Sequence, residues 1–333
     1  MMLRRLWSAV FGGVAGIAVV LTAAALPVLA ATSPSTGGNG LKVSPVTTNL
    51  VIEPGQTQTV KIYIQNVTSS QTTLQAVVND FVAGGDESGT PALLLNSQYA
   101  PSHSLKRYIA PIDPVTLAPG QQTSVSAVIS IPKDVSGGGY FGAVRFVPTA
   151  ASGSNSNVTL SASVGSLILV RVPGDVKEQL YLASIDVRDG EKGGPRVLFT
   201  SNKGIVAMVR FQNKGDVQEQ PFGKMLLQQG GKTIGTYELN NVTPRGNVLP
   251  DSIRKFSIAL DKVGPFGKYT LVGNFGFGTN GQLLSGETTF YVVPLGGMLL
   301  GILAIGLVLF GIFGVPRLIR AYNRRILRSA GRR

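Results

Sequence analysis

Val60-Lys61-Ile62-Tyr63-Ile64-Gln65 alternates apolar with polar side chains at a period of two, the pattern of a strand with one face in a core and the other in water. Pro54-Gly55-Gln56-Thr57 stands before it as a turn. The pattern recurs outward from there. Leu74, Ala76 and Val78 sit between Thr73, Gln75 and Asn79, and Val125, Ala127, Ile129 and Ile131 alternate largely with serines. Val158, Leu160, Ala162 and Val164 repeat it, as do Phe256, Ile258 and Leu260. Leu167 to Val172, Val206 to Phe211, Met225 to Leu227 and Tyr269 to Val272 are short β-prone runs. None of these segments sustains a helical period.

Turn residues separate the strands: Pro54-Gly55, Pro119-Gly120, Gly137-Gly138-Gly139, Pro173-Gly174, Gly193-Gly194-Pro195 and Gly230-Gly231. Gly273 to Gly281 reads as a hairpin, because no helix and no phosphate-loop lysine follow it. Many short strands at this spacing argue for sandwiches and against a parallel α/β sheet. The expectation is an all-β chain of two immunoglobulin-like β-sandwich modules, residues 41–175 and 176–290. Pro54-Gly55-Gln56-Thr57 and Pro119-Gly120-Gln121-Gln122-Thr123 read as equivalent entries into strands of the first module.

The two ends have another character. Arg4 and Arg5 precede an apolar run from Leu6 to Leu29, and Val28-Leu29-Ala30 offers small residues for cleavage, so 1–30 reads as a signal peptide or signal anchor. Residues 31–40, small and polar, read as a flexible spacer. No charge occurs between Glu287 and Arg317, and 292–315 supplies the ~20 residues a membrane helix needs. A basic tail, 316–333, follows and belongs in the cytoplasm by the positive-inside rule, which places the sandwiches outside the cell membrane. Leu318, Ile319, Tyr322, Ile326 and Leu327 make that tail partly amphipathic, although a plain stop-transfer anchor accounts for it as well. Gly297 and Gly301 form a GxxxG pair that permits a weak homodimer.

The net charge of +13 invites a nucleic-acid reading, but its distribution excludes one. Arg4, Arg5, Arg317, Arg320, Arg324, Arg325, Arg328, Arg332 and Arg333 hold most of the surplus, and the middle of the chain is nearly balanced. Cysteine is absent, which removes disulfides, thiolate metal sites and cysteine nucleophiles and suits a bacterial envelope. The single histidine, His103, finds no second histidine or cysteine for a triad or an ordinary metal site. Tyr99, His103, Lys106, Arg107 and Tyr108 do gather aromatics and cations in one stretch, a candidate ligand-binding group for glycan rings or anionic wall polymer. Asp86-Glu87 in a Gly-rich turn, and Asp186, Asp189 and Glu191 around Gly190, read as solvated turns and not as calcium loops or glycosidase pairs. Asn66-Val67-Thr68, Asn157-Val158-Thr159 and Asn241-Val242-Thr243 match the glycosylation acceptor pattern, which carries no weight in a bacterial chain. No cofactor is called for.

Leu41-Lys42-Val43-Ser44-Pro45, the Pro54-Gly55 turn before a strand ending in Gln65-Asn66, Leu117-Ala118-Pro119-Gly120 and Gly137-Gly138-Gly139-Tyr140-Phe141-Gly142 resemble the N-terminal domain of the WxL-interacting protein family. Phe211-Gln212-Asn213-Lys214-Gly215-Asp216 and Pro221-Phe222-Gly223 resemble a strand and turn of its second domain. The resemblance implies a Gram-positive surface protein with two immunoglobulin-like domains, a C-terminal span and a basic tail. It further implies a first domain associated with peptidoglycan and a second with a protein partner. The first module is also distantly similar to periplasmic pilus chaperones. The expected function is a non-enzymatic, membrane-anchored binding or scaffold protein that contacts the cell wall or a surface protein partner. The alternative is a membrane-tethered chaperone or assembly subunit acting by strand addition. When cells are fractionated, the full-length chain should sediment with membranes, resist alkaline carbonate and be released by detergent; recovery as a freely soluble cytosolic species would contradict the anchor.

Overall fold

The computed structural model describes residues 40–95, 98–149 and 163–330. The leader and spacer expectations for 1–39, the acceptor pattern at Asn157, most of the strand expected from Val158 and the last residues of the tail lie outside the described residues. The rest is largely β, arranged as two sandwiches followed by one helical segment.

In the first sandwich β1 (Leu41–Ser44), β3 (Thr57–Asn66) and β7 (Gln122–Ser130) form a three-stranded sheet in the order β1-β3-β7. The facing sheet runs β2-β9-β8-β4-β5, from β2 (Thr47–Val51), β9 (Val164–Val172), β8 (Gly138–Pro148), β4 (Thr72–Ala83) and β5 (Pro91–Leu93). The short β6 (Val115–Leu117) also pairs with β4. The first strand is therefore split: the chain crosses at the cis Ser44–Pro45 bond, leaves β1 antiparallel to β3 and lays β2 parallel to β9. The deciding alternation of the sequence is realised, since Val60, Ile62 and Ile64 are buried in a core that includes Leu74, Ile129, Phe146, Ile168 and Val170. The two Pro-Gly entries feed strands that pair with each other, with Thr57 opposite Ser130 and Gln65 opposite Gln122.

The second sandwich repeats this plan. Its first strand is again split, into β10 (Leu180–Asp189), antiparallel to β12 (Ile205–Asn213), and β11 (Leu198–Phe199), parallel to β17 (Gln282–Val292). One sheet runs β10-β12-β15, with β15 at Ile253–Ala259. The other runs β11-β17-β16-β13-β14, from β16 (Gly267–Phe277), β13 (Phe222–Gln229) and β14 (Lys232–Leu239). Phe211, Phe275, Tyr269 and Phe290 fill its core, and the hairpin expected around Gly273 to Gly281 is the turn joining β16 to β17.

Equivalent asparagines tie each sandwich together. Asn66 ends β3 fully buried, donating to the carbonyls of Leu117, Ser70 and Ala118 and accepting from the Thr68 amide and hydroxyl. Asn213 ends β12 in the same way, donating to the Val217 and Val248 carbonyls and accepting from the Gly215 amide. An amide side chain alone offers donors and an acceptor in this short fork. Asn66 is thus a structural corner and not an exposed acceptor site.

After β17 only Val293 and Pro294 precede α1 (Leu295–Leu309), which continues through a π-helical turn, Phe310–Gly314, into α2 (Val315–Ala330). The helix starts later than the apolar run suggests, because Val292 closes β17 with its side chain in the core. Its length and composition suffice to cross a membrane, and its large apolar side chains from Leu299 to Phe313 stand exposed on all sides. Asn66→Ala and Asn213→Ala should each strand buried backbone groups and lower the unfolding free energy by about 3 kcal/mol. Asn241→Ala, at an exposed position, should change it little; denaturant titrations followed by circular dichroism of the detergent-solubilised chain read the difference.

Candidate functional site

The seam between the sandwiches gathers most of the unusual side chains. β4, β8 and β9 turn Leu74, Val144, Phe146, Ile168 and Val170 into the first core, and their opposite face carries Phe81, Phe141, Ala143 and Leu169. That outer face is not wet, because Leu249 of the second sandwich packs on it. Burial on both faces explains why Leu167 to Val170 is a continuous apolar run and why the alternation of β4 fails from Asn79 onward.

Polar contacts fix the seam's register. Glu87, in a turn with φ +60°, accepts Arg210 on both carboxylate oxygens and gives its carbonyl to the Lys255 amide. The hydrogen bond from Arg210 holds the Glu87 carboxyl below its usual range. The sequence treats Asp86-Glu87 as a solvated turn. Asp86 fits that, but Glu87 is an interdomain anchor whose partner lies far along the chain. Within the second sandwich, Asp186, expected in a solvated turn, lies instead inside β10 and pairs with Arg188 at 2.5 Å, whereas Asp189 at the end of that strand is exposed and pairs with Arg196 at 3.4 Å. The Arg254 guanidinium lies against Gly89, where a β-carbon would overlap it, and donates to the Asn247 carbonyl. Gly89 has φ +83°, so both its conformation and the close approach call for glycine. The Gly139 amide donates to the Asp216 carbonyl at 2.7 Å.

Two of the hollows that open on this seam carry charged and aromatic groups. The first, about 500 Å³, is lined by Phe81, Glu87, His103, Phe141, Leu249 and Asp251 among others. The second, about 260 Å³, is lined by Asn49, Val51, Arg171, Gln218, Glu219, Phe222 and Arg245. Beside the second, Glu178 accepts from Arg171 and from the Thr279 amide and hydroxyl, two residues that line it. Burial works to raise the Glu178 pKa, but these bonds together outweigh it and hold the carboxyl below its usual range. Glu219 is 2% exposed, and among the described residues its carboxylate accepts only the Gly278 amide, at 3.2 Å. Burial first, and then the neighbouring Glu178, push it up to about 7, against the opposing pull of Arg171 and the Gly278 amide. Arg245 lines the same hollow with its guanidinium 3.8 Å from the centre of the Phe222 ring.

The structure divides the five candidate residues. Lys106 and Arg107 stand 4.7 and 4.6 Å over the exposed Tyr99 ring and form one cationic-aromatic group. His103, at φ +63°, faces the other way into the first hollow, its Nδ1–H donating to the Gly139 carbonyl at 2.6 Å and its ring beside Phe141. Tyr108 packs inward, edge-on to Tyr140 against the first core. What organises this loop is Asp80, fully buried, whose carboxylate accepts the Ala100 and Lys106 amides. Asp80 and Glu219 escape a sequence reading; an acid inside the β-prone run Val77-Val78-Asn79-Asp80-Phe81 is the one available signal. Chemically the seam offers aromatic faces, carboxylates and guanidinium groups. Among the described residues no cluster of three or more metal-ligating side chains occurs.

No family model matches the chain, and no curated protein matches it. Solved structures similar to it include the class 5 fimbriae chaperone CfaA, 10% identical with a TM-score of 0.35, covering 77% of this chain and 100% of that one. Another is the CsuC–CsuE chaperone–tip adhesion subunit pre-assembly complex of archaic Csu pili from Acinetobacter baumannii, 14% identical with a TM-score of 0.34, covering 74% and 97%. The CupB2 chaperone of Pseudomonas aeruginosa is 11% identical with a TM-score of 0.32, covering 73% and 97%. At these scores the likeness assigns neither a family nor a function.

Glu219 sets a pH dependence. A carboxyl whose native pKa is raised makes the fold lose stability as pH climbs from the unfolded value of 4.5 to about 7, and the loss is complete above that. Glu219→Gln should therefore be more stable than the parent above pH 7, by up to about 3 kcal/mol, and equal to it below pH 4.5. Urea unfolding at both extremes measures this; the same difference at both would exclude Glu219 as the titrating group.

Proposed function

We propose that this protein is a non-catalytic binding protein, anchored in the cell membrane by its C-terminal helix, that presents two rigidly seated sandwiches outside the cell to a wall or surface-protein partner. The observation that carries the reading is the seam. Its apolar plug and the Glu87–Arg210 pair join the sandwiches, and hollows lined by aromatic, carboxylate and guanidinium groups open beside them. A preformed surface of this kind loses little conformational entropy on binding.

The helix supports the anchor, since exposed leucine, isoleucine and phenylalanine on every side suit hydrocarbon and not water. Arginines after it favour a cytoplasmic tail. The resemblance to the WxL-interacting family adds peptidoglycan as the wall component to try first. Tyr99 with Lys106 and Arg107 is the group proposed to meet it, because a flat aromatic face beside two cations suits sugar rings carrying anionic substituents.

The purified full-length chain in detergent should be retained on insoluble peptidoglycan, and Tyr99→Ala combined with Arg107→Ala should reduce retention at least about fivefold. Retention no greater than that of heat-denatured chain would exclude wall binding. Recovery of a surface protein in place of the wall, lost when the free edge of β10 is blocked by charged substitutions, would instead favour the assembly-subunit reading.

A further inference from the structure

The end of the second sandwich nearest the helix carries a set of side chains that its packing does not use. Tyr291 lies one residue before the close of β17, opposite Lys268 of β16 and Leu198 of β11, so these three share the outer face of the sheet. All are exposed, and just beyond them Phe266 is 66% exposed at the tip of a loop. The Gln229 side chain donates to the Phe266 carbonyl, which brings the β13–β14 hairpin tip, with exposed Lys232, to the same end. Asn202 donates to the Val263 carbonyl, which brings exposed Lys203 beside exposed Lys262. The acids at this end are Asp261 and, in the turn that meets Gly204, Asp189 and Glu191, of which Asp189 is paired with Arg196.

The chain sets the height of this end. Val293 and Pro294 span at most about 7 Å, and the Val293 amide is itself bonded to the Phe199 carbonyl. From Leu295 to Val315 the helix rises about 31 Å, which matches the hydrocarbon thickness of about 30 Å. Leu295 then sits at the outer hydrocarbon boundary, and a headgroup layer of about 6 Å lies at the level of Val293 and the loops around it.

We propose that this end of the second sandwich is a lipid-contacting surface: Phe266, flanked by Tyr291 and Leu198, enters the outer headgroup layer, and Lys203, Lys232, Lys262 and Lys268 bind the phosphates of anionic phospholipids. The proposal rests on the reading of the helix as a membrane span. Aromatic side chains favour the boundary between hydrocarbon and water, and each lysine close to an anionic surface adds attraction that salt screens. The surface holds the sandwich pair against the bilayer and fixes the direction in which the seam faces. The seven arginines after Pro316 outnumber these four lysines, so the orientation of the helix is unchanged.

The absence of cysteine makes the test direct, because one introduced cysteine takes one label. Pro265→Cys, Thr279→Cys at the far end of the β16–β17 hairpin, and Ile305→Cys within the helix are each made in the full chain, labelled with bimane and reconstituted in vesicles of phosphatidylcholine with or without phosphatidylglycerol. The label at 265 should be quenched by headgroup-nitroxide lipid and shielded from aqueous acrylamide, most strongly with phosphatidylglycerol, and the label at 279 should not. Phe266→Ser should remove the shielding at 265, and Lys232→Gln and Lys262→Gln should each weaken it about fivefold in the anionic vesicles alone. A label at 265 as open to acrylamide as that at 279, with 305 quenched by lipid, overturns the proposal and leaves the anchor standing. A label at 305 open to acrylamide overturns both.

Discussion

The apolar outer face of β4, β8 and β9 is the constraint on which the rest of the ectodomain depends. A sheet of an ordinary sandwich leaves that face to water, but here Phe81, Phe141, Ala143 and Leu169 require a cover, and Leu249 of the second sandwich supplies it. Once the two are pressed together, polar groups at the margin lose part of their water and gain from partners across or along the contact. Glu87 finds Arg210, and Arg254 threads past Gly89 to a carbonyl of its own sandwich. The two-pronged Glu87–Arg210 bond gives the contact a direction, while the apolar plug supplies the adhesion.

The two sandwiches solve one topological problem in the same way. Each splits its first strand, sends the earlier part antiparallel along one sheet and the later part parallel to the last strand of the other, and closes the second strand with a buried asparagine. A split first strand gives each sheet one more ladder without a further crossing connection. The asparagine joins the end of its strand to a passing segment where backbone pairing has stopped, which keeps carbonyls from being buried without donors.

Charge is spent differently at the two margins of the seam. Around Glu87 it is paired one to one, and the carboxylate is held ionised. Around Glu219, two carboxylates share the reach of Arg171, and the more buried of the two titrates near neutrality. The seam thus joins one ion-paired margin to a hollow whose carboxyl is shifted toward neutrality by its burial.

Local composition and periodicity were enough to determine the strand-rich chain, a hairpin within Gly273 to Gly281, the apolar segment before the arginines and the burial of Val60, Ile62 and Ile64, because these depend on neighbours within a few residues. Asn66 and Asn213 entered the reading only within segments that resemble a known family, and what their amides bind was not legible. The seam was not legible either. Glu87 and Arg210 lie 123 residues apart, and nothing near either one names the other. Of the five candidate residues, the sequence could gather them but not tell which would stack, which would face the hollow and which would enter the core, because the buried Asp80 sets the loop's path. Only the tertiary structure decided these, since a pairing between distant residues is fixed by how two apolar faces meet and not by the residues beside them.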